Sequence, residues 1–182
     1  MKHSLIKALC SLTLITSLSG VGYGADVYSF ETALSKDFQA QVKLGMTVSV
    51  SDKQAVLGKK SLRLAWSEEG GSVTIPVSIT TDNQLIDNRR HAAVFSTWIY
   101  QDTALSGQKL SVEFGVDKQT KPQCSFIYQL GHQGWRTVFY PFNRMEGKHG
   151  GKLNWIRITA PEGKAGEAYL DLLVPSVQYD RR

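Results

Sequence analysis

Apolar and polar residues alternate along most of this chain with a period of two. In Ser61–Trp66, Leu62, Leu64 and Trp66 fall on one face. Across 110–116 the apolar residues are strictly alternate, and across 123–130 Cys124, Phe126, Tyr128 and Leu130 line one side. Such alternation sets one face of a strand on a core and the other in water. Segments 73–79, 93–100, 135–140, 153–159 and 167–177 also read as strands, being rich in Val, Ile, Thr and aromatic residues. Turn chemistry separates these runs at Gly70-Gly71, Asp87-Asn88, Ser106-Gly107, 131–134, 147–151 and 162–164. No long stretch holds a helical period, and the longest polar interval, 80–90, reads as a surface loop. Many short strands punctuated in this way predict an all-β fold, a two-sheet antiparallel β-sandwich. Hairpins do not survive alone in water, so burial between the sheets must supply the stability.

The first residues do not follow this pattern. Lys2 and Lys7 open the chain, an apolar and hydroxylic run follows from Leu9 to Leu18, and small residues lead to Gly22-Tyr23-Gly24-Ala25. A charged start, an apolar middle and a small-residue exit are the layout of a secretory signal peptide. The apolar run is too short and too rich in Ser and Thr for a membrane span. The expected organisation is therefore a signal peptide over 1–24 and one β-sandwich module over 25–182, in an exported protein, periplasmic or secreted. Of the two cysteines, Cys10 falls in the signal, so Cys124 is left without an intrachain partner and reads as a small buried hydrophobe. The formal charge is +5. Loss of Lys2 and Lys7 with the signal leaves a mild basic excess, which suits anionic partners without naming one. No dense Arg/Lys stripe marks a nucleic-acid surface.

One stretch is more specific. In 50–64, Gly58 would make a tight turn and Ser61-Leu62 would begin an inner strand, a pattern found in jelly-roll carbohydrate-binding modules of the galactose-binding-like type. Further pieces extend the match: Val27-Tyr28-Ser29-Phe30, Ser51-Asp52-Lys53, 95–100, Gly134-Trp135-Arg136, 156–161, 166–171 and the terminal Tyr179-Asp180-Arg181-Arg182. In order and spacing together, these resemble the N-terminal module of chondroitin-sulfate-ABC-type polysaccharide lyases across nearly the whole chain after residue 25. The resemblance implies a galactose-binding-like jelly roll. It also places that family's chemistry in an α/α-toroid domain beyond Arg182. The expectation is thus a non-catalytic module that binds or positions an anionic glycosaminoglycan such as chondroitin or dermatan sulfate. The alternatives are a structural docking domain for a lyase catalytic domain, without sugar contact, and a fragment of an active chondroitin lyase.

Three groups of residues are candidates for function. Trp98, Tyr100, Tyr128, Trp135 and Tyr140 are rings on which a pyranose could stack, although a sandwich core would take the same residue types. Trp98 and Tyr100 share a face, being two apart; Trp66 and Trp155 read as core. Arg89, Arg90 and Arg136 are suited to gripping sulfate or carboxylate with paired donors. Lys118, Lys121, Lys148, His149 and Lys152 add a weaker basic background in loops. Arg136 and Arg157 have an alternative as paired strand residues. The resemblance also implies one structural cation, Ca²⁺ or Na⁺, held by Ser29, backbone carbonyls of the turn from Leu57 to Lys60, and Asp171. Asp171 lies in an apolar run and needs a partner, because a buried carboxylate left alone is costly. For it the alternatives are solvent or an Arg such as Arg63. No nucleophile elbow, HExxH motif or His cluster marks catalysis.

Overall fold

The computed structural model describes residues 27–33, 42–82, 84–86, 89–103, 105, 107–116, 121–148 and 150–180. The expected signal peptide lies outside them. Numbered in chain order, twelve strands among the described residues form two antiparallel sheets. The first sheet runs β1 (Val42–Lys43), β4 (Gly71–Thr80), β11 (Lys152–Ala160), β7 (Lys109–Gly115), β8 (Cys124–Gln129) and β10 (Glu146–Gly147). The second runs β2 (Met46–Ser51), β3 (Ser61–Trp66), β12 (Gly166–Asp180) and β6 (Arg89–Gln101). The remaining edge of β6 is shared by β5 (Gln84–Ile86), paired from Arg89 to His91, and β9 (Gly134–Pro141), paired from Val94 to Gln101.

Period-two alternation explains the core. Leu62, Leu64 and Trp66 of β3, Phe95 and Ile99 of β6, and Ala168 and Leu170 of β12 are buried from one sheet. They meet Ile75, Ile79, Val112, Phe114, Ile156 and Ile158 from the other. Each large apolar side chain removed from water contributes about 1.5–3 kcal/mol, which makes this layer the main source of stability. Phe95 meets Phe114 edge to face at 5.3 Å, and Phe114 meets Phe142 at 5.1 Å. Along the edge where β8 faces β9 across the two sheets, Phe126 and Tyr140 stack at 4.3 Å with 9° between their planes. Tyr140, a candidate sugar platform, therefore packs as a partner within the sandwich edge.

Two expectations change. The interval 80–90 is not simply a loop: it carries β5, which pairs Ile86 with Arg89 and makes a hairpin with β6. Three residues are too few to show a periodicity, and the strand exists because the long β6 offers it a ladder. Trp155 is buried, as a core residue would be, but outside the core cluster. Its register neighbour across the ladder is Gly115, and its indole N–H donates to the Val116 carbonyl at 2.9 Å. The Arg157 guanidinium stands 5.0 Å from its ring centroid. Trp66 is a core residue as expected.

Candidate functional site

Antiparallel register places one residue from each of five neighbouring strands in a single row across the second sheet. Trp135 pairs with Tyr100, Tyr100 with Tyr169, Tyr169 with Arg63, and Arg63 with Ser49. These positions alternate with the core-facing ones, so the row lies on the face turned away from the first sheet. Trp135 and Tyr100 lie 5.3 Å apart, ring to ring, and Tyr100 meets Tyr169 edge to face at 6.1 Å. In the adjacent row Thr137 pairs with Trp98, and Trp98 with Asp171. Trp98, Tyr100 and Trp135 are half-buried, each with ring surface left to solvent, whereas Tyr169 is covered. A hydrogen bond with Asp102, helped by desolvation, pushes the Tyr100 hydroxyl above its usual range.

Beside the rings sits a charged network. Arg63 Nε donates to Glu167 Oε2 at 2.6 Å and its Nη2 pairs with the same oxygen, while the Tyr169 hydroxyl donates to Glu167 Oε1 at 2.6 Å. Burial alone would push the Glu167 carboxyl up, but the bonds from Tyr169 and Arg63 hold it below the usual range. Tyr169 is pushed up to about 12, by burial first and then by its bond to Glu167. Both groups are thus fixed in one protonation state at neutral pH, a stiff base for the exposed rings.

Asp171 is fully buried and takes a different partner from any expected. Its Oδ2 accepts the Val56 and Leu57 N–H at 2.8 and 3.0 Å, and its Oδ1 accepts the Leu172 N–H at 2.7 Å. The β2–β3 segment is thereby tied down over this end of the sheet. Nearby, Glu31 Oε1 accepts the Lys59 and Lys60 N–H, both at 3.0 Å. The bridge between Tyr28 and Leu173 brings Ser29 to the same corner. Ser29, Leu57, Lys60 and Asp171 therefore converge, but what points at the two carboxylates is amide hydrogen rather than carbonyl oxygen. These amide hydrogens satisfy the carboxylate oxygens they meet, and Arg63, the other partner considered for Asp171, is committed to Glu167.

The remaining candidates separate. Tyr128 and Arg136 lie together, on the opposite side of β9 from Trp135, at the open rim between the sheets. Arg89 and Arg90 are the first residues of β6, and their side chains lie outside the described part. Lys118 and His149 also fall outside it; Lys121, Lys148 and Lys152 are exposed. Arg157 is a paired strand residue, bonded to Glu113 at 2.6 Å. Sequence reasoning missed Arg63, Glu167 and Tyr169 as site components. The signal available was the spacing of Glu167, Tyr169 and Asp171 on one strand face, but joining them to Arg63 requires the β3–β12 register.

Such an architecture defines a jelly-roll-type β-sandwich module. The family model described as "Lyase, N terminal" matches residues 24–182, and the chain belongs to that family. It is 29% identical over 168 residues to the chondroitin sulfate ABC exolyase of Proteus vulgaris, covering 92% of this chain and 16% of that protein. It is 29% identical over 93 residues to the chondroitin sulfate ABC exolyase of Bacteroides thetaiotaomicron, covering 50% of this chain and 9% of that protein. The chain thus spans less than a fifth of the length of these curated relatives. Its fold is similar to that of the family 11 carbohydrate-binding module from Clostridium thermocellum, solved with a beta-1,3-1,4-mixed-linked tetrasaccharide. There the TM-score is 0.50 and the identity 9%, with 89% of this chain and 91% of the other covered. Among the described residues no helix is long and apolar enough to cross a membrane.

Proposed function

We propose that this chain is an exported, non-catalytic module of a chondroitin-sulfate-ABC-type lyase, and that it holds an anionic glycosaminoglycan on the outer face of its second sheet. The observation that carries this reading is the cross-strand row of Trp135, Tyr100, Tyr169 and Arg63, with Trp98 alongside. Ring faces pack on the C–H surfaces of a sugar at low entropic cost, and a basic protein attracts an acidic chain. The names of the curated relatives and the family match support the substrate class.

A contact of this size, partly polar and on an open face, has micromolar to millimolar affinity at best. In affinity electrophoresis the chain should be retarded by chondroitin sulfate at low ionic strength and released as salt rises. Trp98→Ala combined with Trp135→Ala should abolish the retardation, and the same mixture should develop no unsaturated-uronate absorbance. Unchanged mobility of the unaltered chain at low salt overturns the reading.

One feature favours docking against a lyase catalytic domain instead. Phe139 and Tyr179 are 46% and 52% exposed and meet edge to face at 5.1 Å on strands of the same sheet. Bare aromatic surface of this kind suits a protein partner. The same gel separates the readings, because a module that only docks would migrate unretarded.

A further inference from the structure

The turn that carries the chain from β8 in the first sheet to β9 in the second leaves the sandwich open at its edge. Gly131-His132-Gln133-Gly134 spans the gap. Beneath it is a groove of about 420 Å³ lined by Tyr128, Gln129, Gly131, His132, Arg136 and Thr137. Its volume lies within the range of small-molecule sites. Further along the same edge the Phe126–Tyr140 stack closes the gap, so the opening is local.

The lining has a consistent polarity. None of its residues is acidic, and Arg136, Tyr128 and His132 bring it a guanidinium, a phenol and an imidazole. Arg136 is exposed and, among the described residues, has no carboxylate within ion-pair distance. That sets it apart from Arg63 and Arg157, which are committed to Glu167 and Glu113. His132 is 5% exposed; its Nε2 lies 3.4 Å from the Ile99 carbonyl oxygen, and its ring meets Tyr128 edge to face at 5.9 Å. Burial lowers its affinity for a proton, and the nearby Arg136 lowers it further, so at neutral pH Arg136 is the charge of the groove. A guanidinium with no carboxylate partner among the described residues, set in a concave site, is suited to an oxyanion.

We infer that this rim groove is a second subsite, which takes the sulfate or carboxylate of an acidic sugar while the neighbouring rings hold the neutral part of the chain. The inference rests on the proposed glycan-binding role. Trp135 and Arg136 are adjacent on β9 and point to opposite sides of it. Among the described strands β9 pairs only with β6, so its other edge is open for a glycan to cross. The groove thereby adds acid recognition to a face whose own arginine is already neutralised.

The test is calorimetry or NMR titration of the chain with three tetrasaccharides: chondroitin 4-sulfate, unsulfated chondroitin, and a carboxyl-reduced unsulfated analogue. Arg136→Gln should weaken the acidic ligands about tenfold, the scale of one lost charge-assisted contact, and leave the neutral analogue unchanged. Arg136→Lys should recover part of the loss. A loss confined to the sulfated ligand assigns the groove to sulfate, and a loss shared by unsulfated chondroitin assigns it to the carboxylate; either supports the inference. If Arg136→Gln binds all three as the unaltered chain does, while Trp98→Ala with Trp135→Ala abolishes binding, the groove is not a subsite but the ring face still is. An equal loss for the neutral analogue also overturns it. If the unaltered chain binds none of the three, the glycan-binding role falls as well.

Discussion

The Asp171 carboxylate is fully buried, and a carboxylate removed from water needs hydrogen-bond donors. Asp171 finds three backbone amides, two of them on another segment of the chain. One is purchased with strain: Leu172 stands at φ 48°, in the left-handed region, where β12 shifts register between Asp171 and Val174. A non-glycine residue there costs about 1–2 kcal/mol, and it persists because the Leu172 amide meets Oδ1 and Leu173 exchanges backbone hydrogen bonds with Tyr28. Asp171→Ala should release the β2–β3 segment and cost about 3 kcal/mol, two to three hydrogen bonds to a charged group less what water restores. Thermal melts followed by circular dichroism should show a drop of about 10 °C. The drop should be the same in millimolar calcium and in chelator. A melting temperature that calcium raises in the unaltered chain, but not in Asp171→Ala, would assign a cation to this corner.

Two strand pairings show how elements fit and why some were harder to read than others. Trp155 lies across the ladder from Gly115, and Trp66 across from Gly166. At each glycine an added Cβ would fall within the facing indole, so the absence of a side chain is what lets the ring lie flat on the backbone. Trp155 can tilt outward past Arg157, whereas Trp66 is enclosed in the core. Gly115→Ala should therefore cost about 1 kcal/mol and Gly166→Ala about 3 kcal/mol, on the scale of overpacked cores. Urea denaturation curves of the two variants check the order. Eight strands were visible as alternation or as β-rich runs in the sequence. β2 carried a signal too, with Met46, Val48 and Val50 alternating with Thr47, Ser49 and Ser51. β1, β5 and β10 are two or three residues long and exist only because longer neighbours template them. The pairing of Trp98 with Tyr100 on one face was legible from spacing. Their union with Trp135, Tyr169 and Arg63 depends on the register of four strands, and the rim groove on a crossover between sheets. Neither is written in any local run of residues.

Across the whole molecule the two outer faces differ. On the first sheet the outward positions include Ser72, Thr74, Ser111 and Thr159 around the Arg157–Glu113 pair, with Trp155 capped. The second sheet carries the half-open rings and, past its edge, Arg136, which has no carboxylate partner among the described residues. The asymmetry sets the proposed binding side against a plain side on a single core. That core also holds Cys124, on β8, 2% exposed, with its thiol pushed up to about 11 by burial. Reaction with an alkylating dye needs both access and thiolate, and the folded sandwich withholds the two together. In a Cys10→Ser background, labelling at pH 8 should be prompt in denaturant. In buffer it should be slowed by the factor that separates folded from unfolded populations. One buried sulfur atom near the edge of the first sheet thus serves as a clock for how often the two sheets part.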